Sequence, residues 1–239
     1  MGTPSHDPPE PLAGAHGALV LFSDIACPWA TVMVLRLRAA RDRLSPGARP
    51  PLLHLAHPLE LLHRRPLARR VIDAEIPACA AAAPQLGWSL WQGRLDEYPV
   101  SSLLALEAVQ AARRQSEAAA EELDLALRRA LFAESRCITL RHEVLRAADR
   151  CPRLDRARLL DDLDRGVARS AVMRQSAAAR AGAAACTGYL VLPDGAGHCN
   201  PGLTTAWLGP PVPGGTPTVT RDDPDVYATL LATPGAAPP

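Results

Sequence analysis

The spacing of apolar residues changes twice along this chain of 239 residues, and these changes constrain its fold more than any other feature. A short apolar run at residues 18–22 is typical of a buried strand, and a helical stretch at residues 28–44 follows it. After turn residues near Pro50, a second apolar run at residues 52–56 predicts another strand. Two parallel strands joined through a helix form a right-handed βαβ unit.

The long middle of the chain, from about residue 59 to residue 181, has apolar residues at helical spacing and no strand pattern. Four helices can be placed by this spacing, around residues 103–112, 123–132, 140–148 and 159–167. Ser101 and Ser102 can cap the first of these helices. The middle of the chain is therefore predicted to be an all-helical domain or lid.

Strand patterns return towards the C-terminus. Residues 189–192 and 197–200 are predicted to be strands on either side of the turn Pro193-Asp194-Gly195. A final helix is predicted over residues 223–231. The complete order is therefore β-α-β, a block of helices, and then β-β-α.

This order predicts one α/β domain that is interrupted by a helical one. The α/β domain takes residues 17–58 and 183–232, and the helical insertion takes residues 59–182. The tails, residues 1–16 and 233–239, are rich in proline, glycine and alanine. Such segments bury too little apolar surface to become ordered, so both tails are predicted to be disordered.

Charge and hydropathy exclude several classes of partner. The 26 basic and 25 acidic residues leave a formal charge of +1, so no strong field attracts nucleic acid or an anionic membrane surface. No basic segment precedes the apolar run at residues 18–22, as it would in a signal peptide. No apolar stretch reaches the roughly 18 residues that cross a bilayer. We therefore expect a soluble cytoplasmic protein with a small or neutral partner.

Six cysteines are spread along the chain: Cys27, Cys79, Cys137, Cys151, Cys186 and Cys199. A reducing compartment would keep them as thiols, so a functional cysteine is expected to be catalytic rather than structural. Cys186 and Cys199 flank the last two predicted strands, and one of them could reach Cys27 as a resolving thiol. The favoured interpretation of both, and of the three cysteines in the helical block, is that they are small buried packing residues.

The segment Ser23-Asp-Ile-Ala-Cys-Pro-Trp-Ala30 stands where the first strand meets the first helix. A cysteine at a helix start faces free backbone N–H groups and the positive end of the helix dipole, which favour the thiolate of Cys27. Pro28 suits the first helical turn, and Trp29 can shield the sulfur and present an apolar face to a substrate. Asp24 either tunes the thiolate and receives its proton, or serves as a plain helix cap.

This segment resembles the signature of the DsbA-type thioredoxin-fold oxidoreductases, including the FrnE-like and 2-hydroxychromene-2-carboxylate isomerase-like branch. That signature is an acid, a short gap and then Cys-Pro-Trp-Cys, and Asp24 to Trp29 match it. Weaker similarity extends to about Leu231, at residues 99–101, 130–134, 144–148, 190–195 and 200–202. The resemblance implies a thioredoxin-like α/β fold with an inserted all-helical domain, and it makes Cys27 the nucleophile.

Two positions depart from the family pattern. A dithiol enzyme places its second cysteine three residues after the first, and here that residue is Ala30, so disulfide exchange within the motif is excluded. The family's cis-proline would fall on Gly188, and without proline a cis bond costs roughly 2.5 to 4 kcal/mol. The substrate loop is therefore expected to differ in shape. The resemblance assigns substrate contacts to Pro28, Trp29, Ala30, Thr187, Gly188, Tyr189 and Asn200.

Three interpretations of the function stay open at this point. Cys27 acts as a monothiol that exchanges with glutathione or a protein thiol, with an external thiol releasing the product. Alternatively, the fold binds a small molecule and Cys27 assists an isomerisation or a biosynthetic step, as the isomerase branch implies. In the third interpretation the protein is a redox-inactive binding module, or an engineered Cys-to-Ala trap of a dithiol parent. The resemblance also allows a homodimer.

Several other side chains resemble ligands, but structural roles explain them as well or better. His54 and His57 would point to opposite faces of a strand, so no metal site is expected, and no cofactor is required beyond glutathione as a co-substrate. Trp88 and Trp91 could be presented by a lid above Cys27, but aromatic residues at helical spacing are more often core. Asn200 stands beside the predicted active site, but turn formation by Asn200-Pro-Gly is the favoured explanation.

Overall fold

The computed structural model describes residues 17–211 and 214–232, so the predictions for both tails lie outside the described residues. Its first part is a βαβ unit of β1 (Leu19–Ser23), α1 (Pro28–Asp42) and β2 (Leu52–Ala56). β1 and β2 are parallel, with Leu19 opposite Leu52 and Ser23 opposite Ala56. The predicted unit is confirmed, and β2 has the predicted bounds.

Two short strands near the C-terminus, β3 (Tyr189–Val191) and β4 (Gly197–Cys199), complete a four-stranded sheet with the order β2-β1-β3-β4. β3 is antiparallel to β1 and to β4. Both strands are slightly shorter than predicted. α1 and the last helix, α9 (Val226–Ala232), contact each other and pack on one face of the sheet.

Both faces of the central strand β1 are buried, which explains its continuous apolar sequence. Leu19 and Leu21 pack on the side of α1 and α9, and Val20 and Phe22 pack on the opposite side. These four side chains are at most 2% exposed. A fully buried aliphatic or aromatic side chain contributes about 1.5–3 kcal/mol, so this strand anchors the α/β layer.

Seven helices stand between β2 and β3, as the sequence predicts for a helical insertion. They are α2 (Leu59–His63), α3 (Arg69–Ala82), α4 (Leu103–Arg113), α5 (Glu117–Phe132), α6 (Arg141–Ala148), α7 (Arg156–Asp164) and α8 (Arg169–Ala178). The four predicted helices correspond to α4–α7, and α2, α3 and α8 were not individually predicted. α7 ends before Val167 because the chain turns at Gly166, whose φ is +60°.

The predicted caps of α4 are only half right. Ser101 Oγ accepts a hydrogen bond from Leu103 N at 3.1 Å, but the Ser102 side chain makes no capping bond to the helix. Both hydroxyls also donate to the Glu60 carboxylate, at 2.6 Å from Ser101 and 3.1 Å from Ser102. The serines therefore tie α4 to α2.

Two glutamines of the helical insertion cover the outer edge of β2. Gln110 Nε2 donates to the carbonyl of His54 at 2.8 Å, and Ala56 N donates to Gln175 Oε1 at 2.8 Å. The two glutamines are also bonded to each other at 2.8 Å. An edge strand presents unpaired backbone groups, so these side chains both satisfy the edge and fix the insertion on the sheet.

A hairpin of β5 (Leu203–Leu208) and β6 (Thr216–Asp222) precedes α9 and was not predicted. Most of its side chains are exposed, so the alternation that identifies a half-buried strand is weak. β6 lies against α3. Within the described ranges, no helix is both long and apolar enough to cross a membrane.

Cys186 and Cys199 form a disulfide, with their Cα atoms 6.0 Å apart. The prediction that both are buried packing thiols is therefore wrong. The antiparallel pairing of β3 and β4 brings the residues that flank this hairpin together, and Cys199 is exposed rather than buried. The disulfide joins the segment before β3 to the end of β4.

Candidate functional site

Cys27 is the N-cap residue of α1, as the sequence predicts. Its backbone is extended, and its Sγ accepts a hydrogen bond from the backbone N–H of Ala30 at 3.4 Å. Pro28 takes the first helical position, where its missing N–H leaves no bond unmade. The sulfur therefore occupies the place where a helix start stabilises negative charge.

Burial nevertheless raises the pKa of the Cys27 thiol to about 12. The residue is 5% exposed, and the carboxylates of Glu75 and Asp24 raise the pKa further. The Ala30 N–H and the Arg128 charge act in the opposite direction. The predicted lowering of this pKa is wrong, because loss of hydration outweighs the helix start.

Asp24 is fully buried, and it organises the loop before α1 rather than capping that helix. Its carboxylate accepts bonds from Ala26 N at 2.8 Å and from Leu59 N at 2.6 Å. Burial raises the pKa of Asp24, and the neighbouring Glu60 raises it further. The helix-cap interpretation is therefore wrong. The carboxylate instead joins the loop before α1, which we call the Cys27 loop, to the start of α2.

Arg128 on α5 holds this loop from the other side, and sequence reasoning missed it. Its side chain is 0% exposed and donates to the carbonyl of Asp24 at 3.0 Å and to Ser23 Oγ at 2.9 Å. It also donates to Thr31 Oγ1 at 2.9 Å and to both carboxylate oxygens of Asp124, at 2.8 and 3.0 Å. A buried guanidinium with five such acceptors explains why this loop and α1 keep one arrangement.

A cavity of about 350 Å³ opens beside the sulfur, and we call it the Cys27 cavity. It is walled by the start of α1, the segment from α2 to α3, and the two loops joined by the disulfide. Its lining residues are Cys27, Trp29, Leu59, Leu62, His63, Arg65, Pro66, Leu67, Ala68, Val71, Ile72, Glu75, Ala185, Cys186, Thr187 and Asn200.

Glu75 is the unexpected titratable group of this wall. It lies on α3, and burial raises the pKa of its carboxyl to about 7, although a hydrogen bond from Trp29 acts in the opposite direction. A carboxyl with this pKa exchanges protons near neutral pH. No sequence pattern points to it, because Glu75 is 48 residues from Cys27 and belongs to a helix that was not predicted.

The loop before β3 faces Cys27 as the resemblance implies. Thr187 lines the cavity, and its Oγ1 accepts a bond from Asp24 N at 3.1 Å. Gly188 directly precedes β3 and bonds to Phe22 O at 3.0 Å through its N–H. Its φ is +87°, and a Cβ there would lie 2.3 Å from Asn200 Oδ1, so the position requires glycine.

The structure brings some of the predicted contact residues together and leaves others apart. Trp29, Thr187 and Asn200 line the cavity with Cys27. The others lie outside its wall: Pro28, Ala30, Gly188 and Tyr189. Ala30 is completely buried in α1, and Tyr189 is half-buried in β3 opposite Phe22. Their role in substrate binding stays a prediction.

The remaining candidates are structural. Trp88 packs on Phe132 with ring centroids 5.1 Å apart, and Trp91 packs edge-on against Tyr98 at 5.2 Å. His54 lies 3.6 Å from the Asp124 carboxylate, whereas His57 faces the carbonyl of Cys186 at 3.3 Å. Across residues 17–211 and 214–232, no group of three His, Cys, Asp or Glu side chains could hold a metal ion.

No protein-family model matches this sequence, and no curated protein matches it. Solved structures do share its fold. One is a Streptomyces coelicolor protein described as a probable DsbA oxidoreductase, with 18% identity and a TM-score of 0.60 over 90% of this chain and 88% of that one. Another is the cytosolic disulfide reductase DsbM of Pseudomonas aeruginosa, with 16% identity and a TM-score of 0.58 over 90% of this chain and 96% of that one.

DsbM has also been solved with GSH, and that structure gives 15% identity and a TM-score of 0.58 over 90% of this chain and 96% of the other. These structures confirm the predicted fold class, a thioredoxin-like α/β fold with an inserted helical block. The strand order and the place of Cys27 at the start of α1 agree with it.

Proposed function

We propose that the chain is a thiol-disulfide oxidoreductase in which Cys27 exchanges disulfides with a thiol substrate bound in the Cys27 cavity. One observation carries this proposal. On a DsbA-like thioredoxin fold, the Cys27 sulfur caps α1 and stands on the wall of a cavity of about 350 Å³, which is large enough for a small ligand. The Ala30 N–H points at the sulfur and stabilises negative charge there.

The reaction at Cys27 takes two exchange steps. The Cys27 thiolate attacks a substrate disulfide, which forms a mixed disulfide and releases one substrate thiolate. An external thiol then attacks the mixed disulfide and frees Cys27, because position 30 carries no second sulfur. At neutral pH the resting sulfur is a thiol, and Glu75 on the same wall is the carboxylate that accepts its proton.

Glutathione is the co-substrate that we propose, and no other cofactor is needed. DsbM, which shares the fold, has been solved with GSH, and it is described as cytosolic, in line with the predicted cytoplasmic location. Exposed Arg65 stands at the cavity and can pair with a carboxylate of a small anionic thiol. A protein thiol as substrate and a homodimer stay predictions.

Mass spectrometry of the glutathione adduct tests this function. The reduced protein is incubated with oxidised glutathione, quenched with acid and digested without reductant. At the earliest quench times we expect glutathione on Cys27 in the wild type, none at this position in Cys27→Ser, and wild-type behaviour in Cys137→Ala, which removes another buried free cysteine. Modification elsewhere in the chain with Cys27 untouched would refute the proposal.

A second substitution tests whether the missing sulfur is the only difference from a dithiol motif. Ala30 lies three residues after Cys27 on the same side of α1, and its N–H already bonds to the sulfur. We expect Ala30→Cys to form a disulfide with Cys27 and to gain catalysed reduction of a protein disulfide. If this variant gains nothing, the loop at Gly188 rather than the motif limits the reaction.

A small-molecule isomerase is the second candidate function. It is favoured by Glu75, whose raised pKa of about 7 suits a general base in a largely apolar cavity. In this case Cys27 assists binding or proton transfer, and no electron is exchanged. An isomerase would keep its activity without any added reductant or oxidant and would lose it in Glu75→Gln.

A further inference from the structure

The motif at Cys27 lacks a second cysteine, but α3 places another one beside it. Ile72, Glu75, Ile76 and Cys79 follow each other at the spacing of one helix face. Ile72 and Glu75 line the Cys27 cavity, so this face of α3 is turned towards Cys27. Cys79, one turn after Glu75, is completely buried.

Packing between α1 and α3 fixes this arrangement. The two helices are in contact, and Arg36 Nη2 of α1 donates to the carbonyl of Ala82 at the end of α3 at 2.8 Å. Cys27 and Cys79 belong to the same continuous hydrophobic core. A charge on Cys27 raises the pKa of the Cys79 thiol, so the two sulfurs lie within electrostatic reach of each other.

The other cysteines are placed less favourably. Cys186, on the cavity wall, is already bonded to Cys199. Cys137 and Cys151 flank α6, outside the lining of the cavity. Among the free cysteines in the described ranges, Cys79 is therefore the one on the helix face that borders the Cys27 cavity.

We infer that Cys79 is the resolving thiol for Cys27, so that the protein carries a redox-active dithiol assembled from two helices instead of one motif. This inference rests on the proposed attack by Cys27 and assigns the second exchange step to Cys79 in place of the external thiol. Its substrates are disulfides of low-molecular-weight thiols such as oxidised glutathione. The burial of Cys79 suits this role, because a resolving thiol attacks within the protein and needs no access to solvent.

Two attacks complete the reaction. The Cys27 thiolate attacks one sulfur of the substrate disulfide, forms a mixed disulfide and expels the first substrate thiolate. Glu75, which holds the Cys27 proton, gives it to this first thiolate. Cys79 then passes its own proton to Glu75, attacks the Cys27 sulfur and expels the second thiolate, which takes that proton. The substrate gains two electrons and becomes two thiols, while Cys27 and Cys79 become a disulfide. Two further thiol molecules, oxidised to their own disulfide, return the protein to the dithiol form.

The test compares wild type, Cys79→Ala and the control Cys151→Ala, another buried free cysteine. Each reduced protein receives one equivalent of oxidised glutathione, and the products are read by non-reducing peptide mass spectrometry and a glutathione assay. Wild type and Cys151→Ala should release two glutathione molecules and yield a peptide pair linked through Cys27 and Cys79. Cys79→Ala should release one and keep the glutathione adduct on Cys27 at least ten times longer. Cys79→Ser, which nearly preserves the volume, replaces the alanine variant if that one unfolds.

Other outcomes overturn the inference in distinguishable ways. If wild type and Cys79→Ala hold the Cys27 adduct equally long, Cys79 plays no part and the monothiol function stands. If the linked pair is Cys27 with Cys186, the Cys186–Cys199 disulfide rather than Cys79 is the exchange partner of Cys27. If Cys27 acquires neither glutathione nor a partner in any protein, the proposed function itself fails.

Discussion

Replacement of the buried Arg128 by methionine tests whether one guanidinium holds the loop that carries Cys27. Arg128 donates to both oxygens of Asp124 at 2.8 and 3.0 Å, and to the carbonyl of Asp24 at 3.0 Å. It also donates to the hydroxyls of Ser23 and Thr31 at 2.9 Å each. Methionine keeps much of the apolar volume but leaves all five acceptors without this donor.

The expected loss of stability follows from the Asp124 charge, which stays buried when Arg128 is removed. Burial alone would raise the pKa of the Asp124 carboxyl, but Arg128 and His54 hold it below its usual range. Removing one partner of a buried ion pair costs about 3–5 kcal/mol, a large part of the 5–15 kcal/mol that typically stabilises a protein. For a chain of this size each kcal/mol shifts the Tm by about 2–4 °C. We therefore expect Arg128→Met to lower the Tm by about 6–20 °C.

A matched control is available on the surface. Arg165 and Asp161 form an ion pair at the same i, i+4 spacing at 3.1 Å, with side chains 67% and 61% exposed. Arg165→Met should cost no more than about 0.5 kcal/mol. Thermal and urea unfolding of the two variants and the wild type measures the difference. If Arg128→Met melts within about 2 °C of Arg165→Met, Arg128 does not hold the Cys27 loop.

The pH dependence gives an independent check. Because the folded pKa of Asp124 lies below its unfolded value, this group stabilises the wild type above about pH 4, and the contribution is lost as the pH falls. In Arg128→Met the buried carboxyl has no cation, so its protonation at low pH relieves the penalty. The Tm difference between wild type and variant should therefore shrink from pH 7 to pH 4.

Three further predictions concern Glu75 on the cavity wall and Gly188 before β3. Because Glu75 raises the pKa of Cys27, Glu75→Gln should lower that pKa. Alkylation of Cys27 by iodoacetamide at pH 8.5 should then become about tenfold faster for each unit by which the pKa falls. An unchanged rate would contradict the effect of Glu75 on Cys27. Because the pKa of Glu75 is raised to about 7, this group makes a contribution to stability that is lost as pH rises from about 4.5 to 7. Glu75→Gln should remove this contribution and leave the similar one of Asp24, whose pKa is also raised. Gly188→Ala and its control Gly195→Ala both place alanine at a positive φ, of +87° and +88°. The new Cβ would lie 2.3 Å from Asn200 Oδ1 at position 188 but in open space at position 195. Thermal unfolding should therefore show Gly188→Ala to be the less stable variant.

Local patterns predicted most of the α/β layer. β1, β2 and the start of α1 follow from apolar runs, turn residues and the Cys27-Pro28 step, all of which act within a few residues. α3 was missed because alanine-rich sequence with Pro77 on an exposed position gives a weak helical pattern. β5 and β6 were missed because most of their side chains face solvent on both sides. In each case the element depends on contacts from distant segments rather than on its own pattern.

Part of the candidate site could likewise be predicted from local sequence and part could not, and the sizes of two opposing effects on the Cys27 sulfur explain why. A helix start stabilises a nearby charge by about 0.3–1 kcal/mol at an exposed site, and up to about 2 kcal/mol when partly buried. The rise in the pKa of Cys27 from 9.0 to about 12 corresponds to about 4 kcal/mol in the opposite direction. That larger effect arises from burial in the folded protein and from Glu75 on α3, neither of which the motif encodes. A cysteine at the start of a helix therefore marks the location of a reactive sulfur, whereas the rest of the fold decides when that sulfur becomes a thiolate.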